Sequence, residues 1–160
     1  MTVARLPLYT AIAQVFFFAA CAANRGPQPL STAPSLESAN LQVWHVTFHL
    51  SGGLSGIDRV LELASTGEVM VEDRRRGAKV TAQAPASDLS QVALLVGKLE
   101  PVDPVRETNC RDCLRYDINI HAGGHPVVAQ FNDVTLAGTA FEGLVRTLRS
   151  LLDRALAGNL

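Results

Sequence analysis

Apolar and polar positions alternate with a period of two from Gln42 to Leu50. Trp44, Val46, Phe48 and Leu50 form one set, and Val43, His45, Thr47 and His49 the other. With its β-branched and aromatic content, this segment predicts a strand whose buried face carries the first set. The break Ser51-Gly52-Gly53-Leu54-Ser55-Gly56 follows, then a second strand over Ile57 to Ala64. Ser65-Thr66-Gly67-Glu68 predicts a turn, Val69 to Arg74 a third strand, and Val80 to Gln83 continues the meander beyond Gly77. The period then lengthens. Leu89, Val92, Val96 and Leu99 recur at helical spacing, with Ser87 as the expected N-cap, Asp88 in the first turn, and Pro101 and Pro104 as stops. Arg115 to His121 alternates again, Gly123-Gly124 supplies a hairpin turn, and Val127 to Phe131 returns as a strand. Thr139-Ala140-Phe141-Glu142 has capping-box form and opens a helix striped by Leu144, Val145, Leu148, Leu151, Leu152 and Leu156, ending at Gly158. The order predicts an α+β domain, with a mainly antiparallel sheet of four to six strands and two helices packed on one face.

The N-terminal segment follows a different logic. Arg5 precedes an apolar run that closes on Phe16-Phe17-Phe18-Ala19-Ala20-Cys21. About 20 apolar residues are needed to span a bilayer, so this run is short for a membrane helix and fits a signal peptide over residues 1–20. Cys21 directly after Phe18-Ala19-Ala20 makes it resemble a bacterial lipoprotein signal, with Phe18 where that family usually has Leu. The resemblance implies that Cys21 becomes the acylated N-terminus and anchors the chain in the cell envelope. Ala22 and Ala23, in place of the Asp that often marks inner-membrane retention, imply the outer membrane, facing the periplasm. Residues 21–40, with Pro27, Pro29 and Pro34 among serines and threonines, read as a tether. Residues 41–160 are then enough for one domain.

Charge narrows the partners. Of 14 Lys and Arg, Arg5 leaves with the signal, so 13 cations face 15 carboxylates, a net of −2. That balance argues against nucleic acid. The one basic run, Arg74-Arg75-Arg76, reads as a solvated hairpin tip. With Cys21 lipidated, Cys110 and Cys113 remain as a pair in an oxidising compartment, and a local disulfide is the expected outcome.

Sharper readings of these residues meet physical objections. A redox Cys-x-x-Cys needs its leading thiolate at a helix N-terminus, whereas this motif runs into a strand. A zinc site shared with His121 and His125 would have to close roughly 26 Å of extended chain between Cys113 and His121. His45 and His49, four apart on a strand, sit roughly 13 Å from one another and read as polar surface positions. No nucleophile elbow, phosphate-cradling loop or His-Glu-x-x-His occurs. No catalytic residue is nominated, and neither a metal nor another cofactor is implied; a binding protein, not an enzyme, is the expectation. Its candidate partner-binding residues are Gly52, Gly53, Leu54 and Ser55, an apolar side chain held at the tip of a glycine-rich connection.

Phe48-His49-Leu50-Ser51-Gly52-Gly53-Leu54-Ser55-Gly56-Ile57, Asp112 with Tyr116-Asp117-Ile118-Asn119-Ile120, and the closing Leu144, Leu148, Leu151-Leu152 helix together resemble the emfourin-like proteins. The resemblance covers roughly residues 46–156. The lipid anchor, the tether and the cysteine pair are additions to that family's pattern. It implies a small α+β inhibitor of thermolysin-type metalloproteases, so the expected partner is a secreted or periplasmic protease. The competing expectation is a non-inhibitory structural or assembly lipoprotein of an envelope complex. The membrane would be met only through the N-terminal lipid.

Overall fold

The structure is a computed structural model that describes residues 43–100 and 110–160. The expected signal peptide, the lipidation site Cys21 and the tether lie outside the described residues. Among the described residues, alternation of apolar residues yields six strands: β1 (Trp44–Gly52), β2 (Ile57–Ala64), β3 (Glu68–Asp73), β4 (Ala78–Gln83), β5 (Leu114–Ala122) and β6 (His125–Asn132). Two helices accompany them, α1 (Ala86–Val96) between β4 and β5, and α2 (Glu142–Leu156) after β6. The sheet is wholly antiparallel in the order β4-β3-β2-β1-β5-β6. The α+β architecture is as the sequence predicts. β1 lies inside the sheet, next to β5, the strand that follows α1.

One face of the sheet carries the core. Val46, Phe48, Leu61, Leu63, Val69 and Val71 are fully buried, and Tyr116, Ile118 and Ile120 nearly so. Against them α2 lays Leu144, Val145, Leu148, Leu151, Leu152 and Ala155. The shorter α1 buries only Val92 and leaves Leu94 exposed. The two helices are joined by Arg154, whose Nη2 donates to Asp88 Oδ2 at 2.5 Å. Phe48 stacks on Tyr116 within the sheet at 6.3 Å between centroids, and Phe131 of β6 tilts on Phe141 at the start of α2 at 5.1 Å.

Both helix starts differ from expectation. Pro85, not Ser87, is the N-cap of α1, and its carbonyl takes the amides of Asp88 and Leu89. The capping box at Thr139 does not form. Successive tight turns from Asn132 to Thr139 consume the local groups: the Thr139 hydroxyl donates to Leu136 O at 2.7 Å, and the Thr139 carbonyl takes the Glu142 amide. The helix therefore begins at Glu142, whose carboxylate reaches back to the Gly138 amide at 2.9 Å.

The core face also holds two polar groups at its margin, each with partners. Arg59 on β2 is the cross-strand partner of Asp73 on β3. Its Nε donates to Asp73 Oδ2 at 3.1 Å and its Nη1 to Asp153 Oδ1 of α2 at 3.3 Å. Burial alone would raise the Asp73 carboxyl, but the Arg76 amide and the Arg59 guanidinium outweigh it and hold it below the ordinary 3.8.

Candidate partner-binding surface

Antiparallel pairing gathers several connections at one end of the sheet: the β1–β2 tip, the β3–β4 tip, the segment entering β5 and the chain leaving β6. The β1–β2 tip is built on glycine. Gly52, Gly53 and Gly56 have φ of +88°, +69° and +58°, a region that penalises any side chain. At Gly52 space adds to the constraint, because a Cβ there would lie 2.7 Å from the Cys113 carbonyl oxygen. That close approach lets the Gly53 amide donate to the same carbonyl at 3.1 Å, while the Gly56 amide closes the turn on Gly53 O at 3.0 Å.

Leu54 stands at the apex and is 90% exposed, the most exposed of the large apolar side chains among the described residues. Ser55 beside it is exposed as well. The four candidate residues thus form one contiguous tip. The structure also sets Cys110 and Cys113 next to it. Their Cα atoms are 5.5 Å apart, at disulfide distance, and the carbonyl that anchors Gly53 belongs to Cys113.

Arg75, in a run whose composition predicts a solvated tip, does more. Its Nη1 donates to the carbonyls of Ser55 and Gly56, the latter at 2.8 Å, so the β3–β4 tip braces the β1–β2 tip. Arg74 lies 3.6 Å from Glu72, and Arg76 remains largely exposed. A cavity of about 410 Å³ opens beside the tip, lined by Ser55, Ile57, Arg59, Asp73, Arg75 and Arg76 among others. No local signal in the sequence marks Arg75 as a brace, since the contact depends on two hairpins standing side by side.

A second cleft of about 280 Å³ lies between β5, α2 and the chain joining β6 to α2. At its floor the Tyr116 hydroxyl donates to Asp133 Oδ1 at 2.5 Å and accepts from Arg149 Nη1 at 3.1 Å. Burial, helped by the Asp133 hydrogen bond and opposed by Arg149, pushes the phenol up to about 12. A phenol held neutral in this way is a structural hydrogen-bonding group, poorly suited to proton transfer near neutral pH.

The face opposite the two helices carries both histidines of β1, His45 and His49. His49 Nε2 lies 2.8 Å from Asp58 Oδ1, and its Nδ1 lies 3.3 Å from Asp117 Oδ2. His45 sits two steps further from the tip on the same face, beyond Thr47 and opposite His121. No helix among the described residues is long and apolar enough to cross a membrane. No protein-family model, no curated protein and no solved structure matches the chain.

Proposed function

We propose that this protein is a lipid-anchored binding protein of the bacterial envelope that engages a partner protein through the β1–β2 tip. The observation that carries this reading is Leu54: a large apolar side chain 90% exposed on a backbone held from two sides, by Cys113 O and by Arg75. An exposed anchor on an already ordered loop loses little conformational freedom on docking, which is what makes it effective in a hydrophobic pocket. The resemblance to emfourin-like inhibitors supplies the target, a thermolysin-type metalloprotease. Such enzymes favour bulky apolar residues just after the scissile bond, and Leu54 has the size and exposure for that pocket. The N-terminal lipid at Cys21 would keep the tip at the membrane surface, on the tether of residues 22–40.

Steady-state inhibition of a panel of thermolysin-type proteases, run beside thermal melts, tests the reading. Leu54→Ala should weaken inhibition by about 1–3 kcal/mol, the range for emptying a hydrophobic anchor pocket, and leave the melting temperature nearly unchanged. Absence of inhibition by well-folded wild type would leave the assembly-factor role in its place. Anchoring is tested separately: Cys21→Ser should move the protein from the membrane to the soluble fraction, since stable attachment rests on the acyl chains.

A further inference from the structure

We propose that His45 and His121 form a two-imidazole site for a divalent transition-metal ion on the face of the sheet opposite the two helices. The register of β1 and β5 places these residues directly opposite each other. Both alternate with core residues, His45 between Trp44 and Val46, and His121 after Ile120, so both side chains rise from the same outer face. Directly opposed residues on one face have Cβ atoms about 4.5–5.5 Å apart, close enough for two imidazoles to converge on one ion at about 2.0–2.1 Å per bond.

The surroundings favour ligation. Neither His45 nor His121 makes a hydrogen bond or ion pair to another described residue. His121 is exposed and His45 half-buried, so an ion could enter from solvent and keep water in its remaining positions. Across β1, His45 faces only Ala64, and across β5, His121 faces Pro126, so no bulky or charged group directly opposes the pair. One step along the same face, Thr47 pairs with Asn119 on one side and Glu62 on the other. Asn119 Oδ1 is shut off from solvent without a hydrogen-bond partner. It offers an acceptor of the kind a ligating imidazole uses for its second N–H.

His49, on the same strand, is not part of the site, because carboxylates already face both of its ring nitrogens. No group of three or more His, Cys, Asp or Glu side chains among the described residues is arranged to hold a metal. The site is therefore a two-ligand, water-completed one. Imidazole pairs suit Cu²⁺, Ni²⁺ and Zn²⁺, with Cu²⁺ bound most tightly. Roughly 23 Å of strand separates His45 from Gly52, so this site is distinct from the Leu54 tip and does not depend on the protease reading.

Trp44, the chain's single tryptophan, is a built-in reporter beside His45. Titrating metal-free full-length protein with Cu²⁺ should quench its fluorescence to saturation at one ion per chain, reversibly with a chelator. His45→Ala and His121→Ala should each weaken binding roughly 100-fold, the gain that joining two ligands on one scaffold brings. Should His45→Ala fold poorly, His45→Gln serves in its place. His49→Ala should bind as wild type does. Absence of saturable quenching in wild type, quenching that survives either substitution of the pair, or loss of quenching in His49→Ala would each overturn the proposal.

Discussion

The two faces of β1 share a backbone and differ in almost everything else. Trp44, Val46, Phe48 and Leu50 point under the helices and are nearly or wholly buried, while His45, Thr47 and His49 point away and stay partly open. On the covered face, polar groups among the described residues are few and have partners: Arg59 holds Asp73 and Asp153, and Tyr116 sits between Asp133 and Arg149. On the opposite face polar groups are plentiful and pairing is incomplete, with Asp117 Oδ1 and Asn119 Oδ1 lacking hydrogen-bond partners among the described residues. The difference teaches where stability ends and recognition can begin. Desolvation penalises an unmatched group, and these two oxygens are shut off from solvent, so the outer face keeps uncompensated acceptors that a ligand's donor could satisfy.

The largest test of this contrast is Phe48→Ala, which empties a fully buried site stacked on Tyr116. It should cost about 3–5 kcal/mol in denaturant unfolding. A loss below 1 kcal/mol would mean that the covered face is not the core.

Next is Tyr116→Phe, which removes a hydroxyl bonded to Asp133 and Arg149 and should cost about 1–2 kcal/mol near neutral pH. The folded phenol is raised from 10.0 to about 12, so folding favours its protonated form. The stability this contributes is complete below pH 10 and is lost as pH rises from 10 towards 12. The gap between wild type and Tyr116→Phe should therefore narrow over that window, as measured by unfolding at stepped alkaline pH.

The smallest expected effect is on the open face. Thr47→Ala, one position from Phe48, should change stability by no more than about 0.5 kcal/mol. A larger loss would show that the open face is covered in the working protein, and would redirect the search for a partner to that side.

Legibility in the sequence followed the same division between local and distant. β2 was readable at both ends because Gly56 and Gly67 bracket a short apolar run, and its range agrees with the structure. The faces of β1 and β5 were readable because alternation is a local property. Helix starts were harder, as Thr139 shows: its hydroxyl had a nearer carbonyl at Leu136, and no spacing rule weighs one local hydrogen bond against another. The Leu54 tip was visible as a glycine-rich break, but its supports were not. The Cys113 carbonyl and the Arg75 guanidinium come from distant parts of the chain, and only strand order brings them to Gly53 and Gly56. The pairing of His45 with His121 was hidden for the same reason. Periodicity assigns a residue to a face and leaves its neighbour across the sheet unnamed.

The position of β1 between β2 and β5 bears on how the chain assembles. β1 to β4 form a meander that can close by local turns, and β5 with β6 form a second hairpin. The seam between them, β1 against β5, joins segments far apart in sequence, and such pairings are slow to form. A chain that emerges N-terminus first therefore carries an open, apolar β1 edge until β5 arrives. Such an edge can template pairing with a neighbouring chain. Misassembly should accordingly begin at the β1 edge, and a chaperone or a peptide with the β5 pattern should protect nascent chains most effectively in the interval before residues 114–122 appear.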